Sequence, residues 1–180
     1  MTLAPASVVL VDAHDNAIGV ALKHEVHGVE PLLHRAFSLF VIRPDGRVLL
    51  QKRSSHKPLW PRTWANACCS HPAPSEPVDE AAVRRAREEL GLLISRPATL
   101  FKFEYRADYA GIGAEHELCH VLLAYVGAPL LHACPLEVDG YEWLTPDEID
   151  AAIASHQRPF APWFLLEWPR VRTALVRQAA

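Results

Sequence analysis

Apolar and polar residues alternate, with many β-branched side chains, over residues 7–12, 18–22, 36–42 and 48–52, and a period of two predicts four strands. The last two flank Pro44, Asp45 and Gly46, a hairpin turn signal. A further strand is expected over 64–69, running into a proline-rich loop. Pro77 then falls in the first turn of a helix that Gly91 is placed to end. Strands follow over 99–109 and 117–125, with a shorter one over 140–144. Thr145 with Glu148 forms a capping box with Pro146 just inside, so a second helix should run to about Ser155. Residues 161–177 read as helical, although Pro169 should kink or split them. There is no internal repeat, low-complexity tract or linker. The pattern predicts a mixed sheet with helices on its faces, an α/β or α+β sandwich, as one domain over residues 1–180.

Composition narrows the class. A chain of 180 residues, half of them hydrophobic, is long enough for one sizeable core. A net charge of -3 and a pI near 6.3 give no broad basic footprint, which argues against nucleic acid as a partner. No cationic, apolar leader opens the chain and no stretch approaches a membrane span, so the expected location is the cytoplasm. Four cysteines, with Cys68 and Cys69 adjacent, make no disulfide framework at this length and suit a reducing compartment.

The predicted first helix carries Arg84, Arg85, Glu88 and Glu89. Each arginine is four residues from a glutamate on one face, which on spacing alone is a solvated helix with two ion pairs. The longer pattern says more. Glu76, Arg84, Glu88, Glu89, Gly91 and Leu92 fall at the spacings of the Nudix box, which this segment resembles, with Ser70 in place of its first glycine and Arg85 in place of the glutamate after its arginine. The box glutamates of Nudix hydrolases bind the divalent cations that assist attack on a diphosphate. A guanidinium among them repels metal and attracts phosphate oxygens, so the substitution argues for holding a diphosphate without cutting it.

This form of the box resembles the type I isopentenyl-diphosphate delta-isomerases, a branch of the Nudix superfamily. The resemblance covers roughly residues 7 to 170 and rests on further segments: Lys23 and His27; His34 to Ser38; Trp60, Trp64 and the block from Asn66 to Pro72; Phe103 to Ala107; Glu115 to Cys119; and Phe160 to Trp163. It implies an N-terminal metal segment over about 7–35, a Nudix-like core over about 36–155 and a C-terminal helical segment over about 160–178. The implied reaction is a 1,3-proton shift between isopentenyl and dimethylallyl diphosphate through a carbocation.

Glu115 and Glu117 are two apart in a predicted strand, so both point to one face, about 7 Å apart along it. His116 and His120 fall on the other face. With ten histidines present, most are satisfied or surface imidazoles. The resemblance selects His27, His34 and His71, with Glu115 and Glu117, as the shell of one divalent metal, Mn2+, Zn2+ or Mg2+, and Glu89 as the holder of Mg2+ with the substrate diphosphate. Adjacent strand residues face opposite sides, so only one of Cys68 and Cys69 reaches a site. Cys69 shares parity with His71 and takes the family's catalytic position, leaving Cys68 to the core. Cys69 and Glu117 are then the two acid-base groups flanking the alkene, in an order the sequence leaves open, with Tyr105 supporting proton delivery beside Glu117. Trp163 faces the carbocation. Lys23, Arg53, Lys57 and Arg85 match the family's diphosphate-binding positions. The expected partner is a small diphosphate, and a monomer is favoured. An ordinary Nudix hydrolase of a nucleoside or sugar diphosphate is the alternative, and a non-catalytic binding module a third reading.

Overall fold

A computed structural model describes residues 7–179. Its strands are β1 (Ser7–Val11), β2 (Ala17–Leu22), β3 (His34–Ile42), β4 (Val48–Arg53), β5 (Trp64–Asn66), β6 (Cys68–Ser70), β7 (Ala98–Tyr109), β8 (Gly113–Tyr125) and β9 (Val138–Leu144). The helices are α1 (Lys23–Val26), α2 (Val78–Leu90), α3 (Pro146–Ser155) and α4 (Pro162–Ala179).

One mixed sheet is built around β3. This strand runs parallel to β8 from the pair His34 and Glu117 to the pair Ile42 and Tyr125, and antiparallel to β1, β4 and β6. Alternation along β3 sorts the core into two layers. Phe37, Leu39 and Val41 point to one face, where Ala81, Ala82, Ala86 and Leu90 of α2 cover them. Phe40 and Ile42 point to the other, against Phe164, Trp168 and Val171 of α4 and Ile149 of α3. The sheet is thus sandwiched between helices, as the sequence pattern predicts.

Gly91 ends α2 in the left-handed conformation, with φ 63°, and its N–H donates to the Arg87 carbonyl. Thr145 caps α3, accepting from the Glu148 backbone N–H while the Glu148 carboxylate takes the Thr145 N–H.

Three expectations need correction. The strand expected over 64–69 is two strands, because the segment changes partner at Ala67: β5 pairs with β4 and β6 with β3. Buried Asn66 fills the break, its amide donating to the carbonyls of Leu39 and Cys68. Pro169 does not split α4, which runs through it. Strand β8 starts at Gly113, four residues before the expected start, and pairs with β7 from Gly113 to Leu123. The one-turn α1 was not anticipated; Glu25 holds its start by accepting from the Leu22 N–H.

Candidate active site

The side chains singled out by sequence converge at one end of β3, on the face that α4 covers. Lys23, His27, Arg53, Lys57, Cys69, His71, Tyr105, Glu115, Glu117 and Trp163 all line one cavity. Parity explains the selection from the strands. Cys68 lies buried under α2, while its neighbour Cys69 faces the cavity. His116 and His120 leave the cavity and pair with Glu104 and Asp15.

His27, His34 and His71 place their Nε2 atoms 3.9, 3.5 and 3.1 Å from Glu117 Oε1. One donor atom from each of these four residues lies within 4.8 Å of the others. The Nδ1–H of His34 donates to the Leu32 carbonyl at 2.8 Å, which leaves its Nε2 lone pair aimed into the cluster. Burial lowers the pKa of His27 and pulls that of His71 down to about 3, so both rings are neutral. Three imidazoles converging on a buried carboxylate, with the His27 Nε2 left without a hydrogen bond among the described residues, fit a divalent metal ion better than any hydrogen-bonded network of their own. Glu115 stands just outside this tight group.

The two glutamates are joined by Tyr105, whose hydroxyl is 2.9 Å from Glu115 Oε2 and 2.9 Å from Glu117 Oε2. Burial opposes charge on Glu117, but the three imidazoles crowded around its Oε1 outweigh it and hold the group well below the carboxylate range. Burial, and then the charge of Glu117, push Glu115 up to about 8. The pair therefore divides into one ionised and one protonated carboxyl, bridged by a phenol that burial keeps protonated.

Opposite them, Cys69 donates its thiol proton to Asn66 Oδ1 at 2.9 Å and accepts from Trp163 Nε1 at 3.0 Å. Burial pushes this thiol far up, so it is a protonated acid at rest. Trp163 is itself buried, edge-on to Trp60, with the Arg53 guanidinium 5.0 Å from its ring centre. Arg53 also donates to the carbonyls of Leu59 and Trp60, so it fixes the loop that closes the cavity.

Arg85 and Glu89 lie beyond this cavity. Arg85 lines a neighbouring depression with Lys23, Ser70 and His71, and donates to Glu88, Glu89 and Glu137. Glu89 is fully buried, its Oε1 held by Arg85 and its Oε2 without a hydrogen-bond partner among the described residues. Glu137 also accepts from Lys57; burial works against its charge, but Lys57 and Arg85 prevail and keep its pKa at about 2.

Sequence reasoning missed Asn66, Ser38, Glu137 and Glu167. Asn66 and Ser38 stood inside quoted segments, and Ser38 shares the parity of His34. Glu167, buried behind Cys69, lies one helical turn after Trp163.

A family model described as NUDIX domain matches residues 32–164. Isopentenyl-diphosphate Delta-isomerase 1 of Photorhabdus laumondii is 40% identical over 163 residues, covering 90% of this chain and 92% of that protein. The chain belongs to the isopentenyl-diphosphate delta-isomerase family. Its Kocuria rhizophila relative, an isopentenyl-diphosphate Delta-isomerase, is 40% identical over 176 residues, with 97% and 96% of the two chains covered. The fold is also that of solved Nudix proteins. A MutT NUDIX hydrolase from Burkholderia pseudomallei superimposes with a TM-score of 0.62 at 23% identity, covering 77% of this chain and 98% of that one. The DR0079 protein of Deinococcus radiodurans gives 0.70 at 22% identity, covering 89% and 96%. Among the described residues no helix is long and apolar enough to cross a membrane.

Proposed function

We propose that the protein interconverts isopentenyl and dimethylallyl diphosphate, with Cys69 and Glu117 as the two acid-base groups. The observation that carries this is their placement: a thiol that burial keeps protonated and a carboxylate held below its usual range line one cavity from β6 and β8, the strands on either side of β3, with the buried ring of Trp163 against the thiol. A 1,3-proton shift needs a proton given to one carbon of the alkene and another taken from a neighbouring carbon. Burial keeps a proton on Cys69, which is placed to give it to the alkene, while Glu117 is placed to take one from the neighbouring carbon. The order reverses in the back reaction. Tyr105, hydrogen-bonded to Glu117 and backed by protonated Glu115, takes up the charge change on that side. The faces of Trp163 offer electron density to the tertiary carbocation, in a pocket that keeps water from capturing it.

His27, His34, His71 and Glu117 would hold one divalent metal, Mn2+, Zn2+ or Mg2+, with Glu115 adjacent. Bound there, the ion fixes the orientation of Glu117 and tunes its proton affinity. Lys23, Arg53, Lys57 and Arg85 supply positive charge for the diphosphate, and Glu89, with its free buried oxygen, would hold Mg2+ beside it. Burial, Lys57 and Arg85 lower the pKa of Lys23, the pattern of a cationic cluster lacking its anion. Two other carboxylates of the Nudix-like segment, Glu76 and Glu88, are already engaged by Arg84 and Arg85, which disfavours the metal-assisted cleavage of a hydrolase.

The test is incubation with Mg2+ and isopentenyl diphosphate in deuterated water, followed by NMR. Deuterated dimethylallyl diphosphate with the diphosphate intact is the expected product. Released phosphate without isomer would establish a hydrolase instead.

A further inference from the structure

Three of the four side chains in the histidine–carboxylate cluster come from adjacent strands of the sheet. His34 opens β3, Glu117 lies opposite it on β8, and His71 directly follows β6 on the other side of β3. Backbone pairing along those strands sets their spacing. His27 comes from outside the sheet, at the end of the one-turn α1, whose four residues are too few to hold a side chain in place by themselves.

The support for His27 is the buried start of β8. The Ala114 N–H donates to the Gly28 carbonyl at 3.0 Å and lies 3.4 Å from that of His27. One residue earlier, a Cβ built on Gly113 would lie 2.5 Å from the His27 carbonyl oxygen and 3.2 Å from Leu59 Cδ2. The first of these contacts is with backbone, so turning a side chain cannot relieve it. Gly113 is not among the residues with positive φ, so this position needs glycine for space and not for conformation. The same strand carries Glu115 and Glu117. One run of β8 therefore bears both carboxylates and the seat of the imidazole that the sheet does not supply.

We propose that Gly113 is a positioning residue for the metal centre. Its missing side chain lets the chain after α1 rest on β8, which sets His27 against Glu117, so affinity for a divalent ion depends on a residue that offers no ligand atom. This rests on the reading of the cluster as a metal site.

The experiment is calorimetric titration of Mn2+ into metal-stripped protein, for the unaltered chain, Gly113→Ala, His27→Ala, the Gly113→Ala/His27→Ala double variant and Gly140→Ala, with thermal melting of each. Gly140, in β9, is the control, since a Cβ there would meet open space. Gly113→Ala should bind Mn2+ about 10- to 100-fold more weakly, the usual cost of disturbing a residue that orients a ligand. Gly140→Ala should bind as the unaltered protein does. In the His27→Ala background, which keeps three of the four donors, Gly113→Ala should add little further loss, because the ligand it positions is gone. A general loosening of the fold would weaken binding equally in both backgrounds and would overturn the inference. So would a Kd for Gly113→Ala within about two-fold of the unaltered value, which would leave the metal site and the isomerase reading standing. Should Gly113→Ala fail to fold, exchange of the Ala114 amide proton, followed by NMR, decides instead. Zn2+ should slow it in the unaltered protein and not in His27→Ala, because coupling between ligand and seat is reciprocal. Exchange indifferent to Zn2+, or slowed alike in both, would overturn the inference. Unaltered protein that takes up no Mn2+ would overturn the metal site along with it.

Discussion

Cys68 and Cys69 are chemically identical neighbours whose surroundings give them opposite uses. One is packed under α2 among alanines and leucines, the other is held by Asn66 and Trp163 on the cavity wall. Cys69→Ala and Glu117→Gln should each lower kcat by about 100- to 10,000-fold in folded protein, the usual contribution of a positioned proton-transfer group. Cys68→Ala should cost stability and leave turnover largely in place; kinetics and melting on the same samples separate the two. Glu167 offers a test of sign. Its folded pKa near 8 exceeds the ordinary 4.5, so the stability it contributes is full below about pH 4.5 and is lost as pH rises through 8. The groups facing it are Cys69 from β6, Cys119 and Glu117 from β8, and Ser38 from β3. The fall in Tm between pH 5 and 8 should therefore be shallower in metal-free Glu167→Gln than in the unaltered protein. Period-two parity put Cys69 and Cys68, and Glu117 and His116, on opposite faces, and the family resemblance chose which member of each pair serves the site. Parity could not reveal Asn66, whose role comes from contacts between distant parts of the chain.

Elements with strong local signals were readable for local reasons. The α3 capping box, the α2 glycine stop and the β3–β4 hairpin each depend on residues a few positions apart. The break between β5 and β6 depends instead on two strands competing for one segment, which no window of sequence contains. Pro169 shows the converse, a strong local signal outweighed by the burial of Phe164, Trp168 and Val171 on both sides of it. The α2 stop carries a prediction. A Cβ on Gly91 would lie 2.8 Å from the His132 Cβ, at a φ of 63°. Gly91→Ala should cost about 1–3 kcal/mol by urea denaturation. It should weaken substrate binding more than the chemical step, since α2 carries Arg85 and Glu89.

Across the protein, the cavity stores charge in forms that a ligand can use. Three imidazoles and a carboxylate crowd one point, and nearby Lys57 and Arg85 pair with Glu137, Arg85 also with Glu88 and Glu89 of α2. Stripping divalent ions with a chelator should abolish turnover and lower Tm together, and Mn2+, Zn2+ or Mg2+ should restore both. An ion at 100 times its Kd would add about 2.7 kcal/mol to the folded state. A Tm unmoved by chelation and reloading would count against the cluster as a metal centre.

The Trp64 backbone accepts from Ala161 and donates to Pro159, and an isolated bridge joins Trp64 to Phe160. Two residues after Trp64 comes Asn66, which grips Cys69; two residues after Ala161 comes Trp163. The thiol and the indole are thus threaded from a single backbone rung, like two jaws of one clamp. A displacement of that rung would move both together, so the spacing between the thiol and the indole is set by the backbone and not by the side chains alone.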